Sequence, residues 1–221
     1  VIAAAALDAG YQALKLKIGF GAERDTRNLA ALRDLLGDDG ELMADANQAW
    51  DINEASVMLD KLATFNLAWL EEPIAADRPE REWRLIRDLA EMPLAAGENV
   101  QGDDHFASWL QADILGVVQP DLAKWGGLSR TVPLARQILA SGKRYCPHYL
   151  GGGIGLVASA HALAAVGGDG MLEVDINANP LRSELIGDLL SKQSSEACLG
   201  DAPGLGYEPD FRAVEQYRVS Y

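Results

Sequence analysis

Seven short apolar runs recur along the chain: Ala13 to Ile18, Leu42 to Ala46, Ala68 to Leu70, Leu94 to Ala96, Ile114 to Val118, Arg144 to Cys146 and Met171 to Val174. Each has the length of a β-strand. Longer stretches with helical spacing lie between most of them. From Asn53 to Phe65, for example, Ala55, Met58, Leu59, Leu62 and Phe65 fall on one helix face. Strands alternating with helices predict a parallel sheet built from βα units. The chain opens with Val1 inside an Ala-rich run that ends at Gly10, a helix signal with its stop residue, so a helix is expected before the first strand.

An ionisable residue stands at or just past the end of each run: Lys17, Asp45, Glu71, Glu98, Asp121, His148 and Glu173. Their gaps of 28, 26, 27, 23, 27 and 25 residues each correspond to one βα unit. In a (β/α)8 barrel all strand ends converge on one face, where the active site lies. A doubly wound open sheet would spread them along a row instead. The expected class is therefore α/β, a TIM-type (β/α)8 barrel. Only seven strand signals are present, so the first strand of that barrel is expected to be missing from this sequence.

Composition narrows the partners. At 221 residues, one sizeable domain is expected. It carries 33 acidic against 19 basic side chains, a formal charge of -14, which argues against nucleic acid and against anionic membranes. The longest strictly apolar stretch, Val1 to Leu7, is too short to span a bilayer. Cys146 and Cys198 make no disulfide framework, and a reducing cytoplasmic location is expected.

The strand ends suggest specific chemistry. Lys15 and Lys17 alternate with Leu14, Leu16 and Ile18, so both lysines share one strand face. Inside a barrel they would need anions beside them, and each should depress the other's pKa. Asp45, Glu71 and Glu98 come from consecutive strands and would repel one another if left bare. An oxygen-only set of this kind suits a hard divalent ion, Mg2+ before Zn2+. Glu72 should point away from Glu71 towards a neighbouring salt bridge. Asp121 and His148 end adjacent strands, where a carboxylate orients an imidazole and raises its basicity. His105 and His161 are expected to be structural and Cys146 to be packing. The Gly151 to Gly155 stretch is a candidate phosphate loop, or a site of close backbone packing.

These residues together resemble the enolase superfamily, specifically its mandelate racemase subgroup. The resemblance rests on Lys15-Leu16-Lys17, Asp45-Ala46-Asn47, Glu71-Glu72-Pro73, Gly97-Glu98-Asn99, Gln119-Pro120-Asp121, Lys124-Trp125-Gly126-Gly127, Pro147-His148 and Leu172-Glu173, with Pro203-Gly204-Leu205-Gly206 as a closing motif. Asp121, His148 and Glu98 favour that subgroup over the muconate-lactonizing one, which has a lysine where Asp121 stands. The resemblance implies that Asp45, Glu71 and Glu98 bind Mg2+. It implies that Lys15 and Glu173 hold a substrate carboxylate, that Lys17 and the Asp121-paired His148 flank its α-carbon, and that Asn47 and Lys124 support it. Residues 1–176 are expected to form the partial barrel, and 177–221 a tail packing on it and on a capping domain that this sequence lacks.

The implied activity is that of a metal-dependent lyase or isomerase: α-proton abstraction through an enediolate, with acid-sugar dehydration leading. Racemisation or epimerisation by the same Lys/His pair remains open, as does an inert truncated barrel. A phosphosugar-binding barrel using the glycine loop is a further alternative. The expected partner is a small sugar-acid carboxylate, and the complete protein is expected to be a homo-oligomer.

Overall fold

Residues 2–186 and 198–219 are described by a computed structural model. The opening Ala-rich run forms α1 (Ile2–Asp8), closed by Gly10 in the left-handed region at φ 96. Bonds from Gly10 N to Leu7 O and from Tyr11 N to Ala6 O complete the helix stop. Six strands follow: β1 (Ala13–Lys17), β2 (Glu41–Asp45), β3 (Trp69–Glu71), β4 (Leu94–Ala96), β5 (Val117–Val118) and β6 (Arg144–Tyr145). The intervening helices are α2 (Ala22–Leu36), α3 (Ile52–Leu62), α4 (Glu80–Leu89), α5 (Asp103–Ala112) and α6 (Gly127–Ala140). After β6 come α7 (Gly153–Val166) and α8 (Pro180–Ile186). Helix α3 shows why the local sequence suffices. Asp51 and Glu54 make a reciprocal capping box, and Ala55, Met58, Leu59 and Leu62 form its buried face. Phe65 lies in the short 3-10 turn that follows.

All pairings are parallel and the strands are in sequence order, which excludes the doubly wound alternative with its reversal point. The register discloses the curvature. The row of partners runs Lys17, Asp45, Glu71, Ala95, Val117, Arg144. It begins at the last residue of β1 and ends at the first residue of β6, the stagger of a barrel wall. Curvature is visible across the interior. Arg144 Nη1 on β6 lies 2.7 Å from Glu41 Oε2 on β2. Four strand spacings in a flat sheet would separate these strands by roughly 19 Å.

The seventh predicted run, Met171 to Val174, joins no ladder. Met171 N donates to the Cys146 thiol at 3.4 Å rather than to a carbonyl, and among the described residues no strand flanks its other side. An extended segment with pairing groups on one side at most has little to hold it in register.

Two apolar clusters divide the wall. The larger one lies between sheet and helices and takes Leu14, Leu42, Leu70, Leu94 and Val118 from the strands with Trp83, Ile86, Phe106 and Ile138 from the helices. The smaller one lies inside the curve: Met43, Trp69, Ala95, Val117 and Cys146. The opposite strand faces thus separate as the alternation in Leu14-Lys15-Leu16-Lys17-Ile18 requires.

The tail begins with α8, which packs its residues Leu181, Arg182 and Ile186 close to Gly152 and Gly153. Leu205 joins Leu122, Ala158 and Ala162 in a small apolar cluster, and its carbonyl lies 3.2 Å from His161 Nε2. Residues 187–197 of the expected tail lie outside the described residues. Among the described residues no helix is long and apolar enough to cross a membrane.

Candidate active site

The carboxyl ends of the strands bring the sequence candidates together. Asp45 closes β2 and Glu71 closes β3 as register partners, both fully buried. Glu98 comes from the turn just past β4. This approach requires Gly97, at φ 149, because a Cβ there would lie 2.6 Å from the Gln119 carbonyl carbon. One carboxylate oxygen from each of the three residues falls within 4.8 Å of the others.

Cations surround this triad. Lys15 Nζ lies 2.6 Å from Glu71 Oε2, 2.6 Å from Glu173 Oε1 and 3.9 Å from Asp45 Oδ2. Lys17 donates to Asp45 Oδ2. His148 Nε2 sits 2.7 Å from Glu98 Oε2, and its Nδ1 is 2.9 Å from Asp121 Oδ2. Lys124 Nζ donates to Glu98 Oε1 at 2.9 Å, so this lysine stands against the triad itself. Asn47 is exposed at φ 48, and its backbone N–H donates to Asp45 Oδ1 at 2.7 Å. Glu173 is brought to the site without a strand beneath it, and its Oε2 accepts from Tyr149 N at 3.2 Å.

Burial and charge set the protonation of these groups. Burial alone would raise Glu98, but His148 and Lys124 pull it down to about 2. Burial and the adjacent Glu71 charge push Asp45 up to about 6. Burial would lower His148, yet Asp121 and Glu98 hold it up at about 9, in the direction expected of the pair. The two lysines depart from expectation. Burial and, for Lys17, the Lys15 charge favour deprotonation, but Glu71, Glu173 and Asp45 outweigh burial at Lys15, and Asp45 and Glu71 outweigh both at Lys17, so both lysines are raised. Their carboxylate neighbours are closer and more numerous than their cationic one.

The triad fits a hard divalent cation. It offers three oxygen donors and no sulfur, and Glu71 Oε1 is buried without a hydrogen-bond partner among the described residues. That orphaned lone pair is a cost in the metal-free chain and a ready ligand atom.

Several contributors escaped the sequence analysis. Gln119 Nε2 donates to Glu71 Oε2 at 2.9 Å, which orients that carboxylate. Asp25, buried in the first turn of α2, accepts from Gly19 N at 2.8 Å and Phe20 N at 3.1 Å, pinning the loop that follows Lys17. Gln119 shares the strand face that ends at Asp121, which is a readable signal. Asp25 offers none beyond an acidic residue early in a helix. Glu72 does not enter a salt bridge among the described residues; its partner is the Asn99 amide. The glycine loop is explained by packing. The Tyr149 hydroxyl packs against the loop: a Cβ on Gly151 would lie 2.7 Å from that oxygen, and one on Gly155 2.3 Å from it.

A curved parallel βα wall carrying three carboxylates, two lysines and an Asp–His pair at its carboxyl ends defines a barrel-type enzyme site. The chain belongs to the enolase C-terminal domain-like family, whose match covers residues 1–214. It is 33% identical over 220 residues to D-galactarolactone cycloisomerase of Agrobacterium fabrum, covering 95% of this chain and 57% of that protein. It is 29% identical over 210 residues to arabinonate dehydratase of Saccharolobus solfataricus, covering 95% and 56%. The chain thus spans little more than half the length of these curated relatives.

Among solved structures, a mandelate racemase/muconate lactonizing enzyme from Bordetella bronchiseptica superposes with a TM-score of 0.93 at 52% identity, covering 97% of this chain and 60% of that one. L-Talarate dehydratase from Polaromonas, solved with Mg and L-glucarate, gives 0.61 at 28% identity, covering 66% and 41%. These neighbours support the enolase-superfamily TIM-barrel class expected from the sequence.

Proposed function

We propose that this chain supplies the catalytic barrel portion, residues 1–176, of a Mg2+-dependent enzyme that removes the α-proton of a sugar-acid carboxylate, with dehydration as the outcome. Residues 177–221 are assigned to the tail. One observation carries the proposal: Asp45, Glu71 and Glu98 converge within 4.8 Å, with Lys17 at one end of the triad and the Asp121-paired His148 at the other.

Asp45, Glu71 and Glu98 would hold Mg2+, which would supply positive charge where the substrate carboxylate gains negative charge. Lys15 would donate from Nζ to that carboxylate, and Glu173 would hydrogen-bond its other side. An enediolate would form when the α-proton passes to Lys17 Nζ or to His148 Nε2 in its neutral form; the surrounding carboxylates hold both groups protonated, and a cation on Asp45, Glu71 and Glu98 would take up the negative charge that holds them so. Asp121 holds the His148 ring through Nδ1, so Nε2 is the atom that exchanges a proton with substrate. In dehydration His148 then delivers a proton to the departing β-hydroxide, which leaves as water; where Lys17 took the α-proton, Lys17 releases it to solvent and His148 regains one, so the substrate loses one proton and one hydroxide in either case. Lys124 and Asn47 steady the substrate beside Glu98 and Asp45.

Epimerisation is the second reading, favoured by the placement of the two bases at opposite ends of the triad. In that case one base takes the α-proton and the other returns one to the far face.

Proton NMR of a sugar-acid panel with the protein and Mg2+ in D2O tests both. The expected result is loss of one α-proton signal and appearance of a 2-keto acid. Retained composition with inverted configuration would mean epimerisation. No exchange across the panel would favour an inert barrel.

A further inference from the structure

Glu72 is the buried acidic group at this end of the barrel that the chemistry above leaves unused. It follows Glu71 directly, is fully buried, and holds a left-handed backbone at φ 41, a region that non-glycine residues rarely adopt. Neighbouring backbones lock that conformation on both sides. Glu72 N donates to Ala95 O at 2.9 Å, and its carbonyl accepts from Gln48 N at 2.7 Å. Its two carboxylate oxygens both accept from Asn99 Nδ2, at 3.0 and 2.8 Å. The same nitrogen lies 3.5 Å from Glu98 Oε1, and the turn it belongs to is closed by Val100 N donating to Gly97 O at 3.1 Å.

We infer that Glu72 is a positioning residue: it grips the Asn99 amide and thereby fixes the turn that aims Glu98 into the carboxylate triad. The inference rests on the reading of that triad as a cation site. A buried carboxylate whose only side-chain partner among the described residues is an amide is a poor choice for stability alone. A glutamine of the same shape would bury no charge, but it would keep only one of the two contacts to Asn99 Nδ2 and turn its own NH2 towards the other. The charge makes sense when a divalent cation sits beside it, since a bound ion is the largest local charge and offsets the burial of nearby carboxylates. Glu72 therefore costs the metal-free chain stability and serves the metal-bound one.

That opposition of sign makes the inference testable with Mn2+ as an EPR-visible probe. Mn2+ affinity and the metal-free unfolding midpoint are measured for the unchanged chain, Glu72→Gln, Asn99→Ala and the double variant. Glu72→Gln should bind Mn2+ about 10- to 100-fold more weakly, the usual scale for groups that orient metal ligands. Its metal-free midpoint should be equal to or above that of the unchanged chain. Asn99→Ala should also weaken Mn2+, and the double variant should lose less than the two losses combined. Glu72→Gln binding Mn2+ as tightly as the unchanged chain would overturn the inference and leave the triad reading intact. So would an affinity loss matched by an equal loss of metal-free stability. An unchanged chain that takes up no Mn2+ would overturn both together.

Discussion

At the amino ends of the strands, Met43, Trp69, Ala95, Val117 and Cys146 fill the inside of the wall as one apolar layer. Arg144 floors it, paired with Glu41 and placed with its guanidinium carbon 5.7 Å from the Trp69 ring centre. One step further along the same strand faces stand Asp45, Glu71 and their cations. The two ends use the same alternation of side chains and spend it differently. At the closed end the inward groups are apolar or paired except for Trp69 Nε1, which is buried without a partner among the described residues, and the large apolar area still makes burial a net gain. At the open end three carboxylates crowd together, one of them with an orphaned oxygen, and the neighbouring lysines and histidine only partly answer them. Such an arrangement persists because the layer beneath and the helices behind hold the strands in register.

The difference can be broken from the open end first. His148→Asn removes one proton-exchanging nitrogen and should lower the rate of α-proton exchange by about 10²- to 10⁴-fold, the range for loss of a general acid–base group. Mn2+ binding should weaken by no more than about 10- to 100-fold, because His148 holds a ligand rather than being one. D2O exchange rates and EPR titration check the two halves, and an unchanged exchange rate would remove His148 from the mechanism.

Trp69→Ala is the counterpart at the closed end. Trp69 is 3% exposed, so truncation should lower stability by about 3–5 kcal/mol through lost burial and a cavity. Denaturant unfolding measures this. The folded fraction should bind Mn2+ with unchanged affinity; a large drop would mean that the apolar layer sets the ligand geometry directly.

The pH dependence of stability sharpens the contrast by a smaller effect. Burial and Glu71 hold Asp45 up at about 6, and burial and Glu98 hold Glu72 up at about 7. The folded chain then keeps protons that the unfolded chain releases. In chelator, the unfolding midpoint should therefore fall as pH rises from roughly 4 through 7. Glu98, held down at about 2 against a usual 4.5, acts in the opposite sense: its support is complete above 4.5 and is lost only as pH falls through 2. Mg2+ should flatten the decline, since it favours the deprotonated ligands. Thermal melts across this range, with and without Mg2+, check the outcome. A decline that Mg2+ leaves untouched would locate its cause away from the triad.

Much of the site was legible because strand ends recur at the pitch of one βα unit. Lys17, Asp45, Glu71, Glu98, Asp121, His148 and Glu173 could be picked out by that period, and the structure brings all seven to one end of the wall. The residues that orient them carry no period. Gln119, Asp25, Tyr149 and the Glu72–Asn99 pair act through contacts between segments that are distant in sequence or through an unusual backbone angle. The lysines show the same limit in their charge state. Their spacing predicts mutual depression, while the carboxylates that raise them come from three other segments. Glycines 151 to 155 offered two meanings, and Tyr149, folded back on them, selects close packing.

Period, polarity and chain direction are local properties. By themselves they determined a parallel βα wall, its inward and outward faces, and a row of ionisable groups at one end. Tertiary structure decided which carboxylate oxygens meet, which cation answers which anion, and how far the wall curves. It also decided that Met171 to Val174 would remain outside the ladder. Those outcomes depend on distances of a few ångströms between groups from different βα units, and the Coulomb and desolvation energies that follow from them are too steep in distance to be read from spacing along a chain.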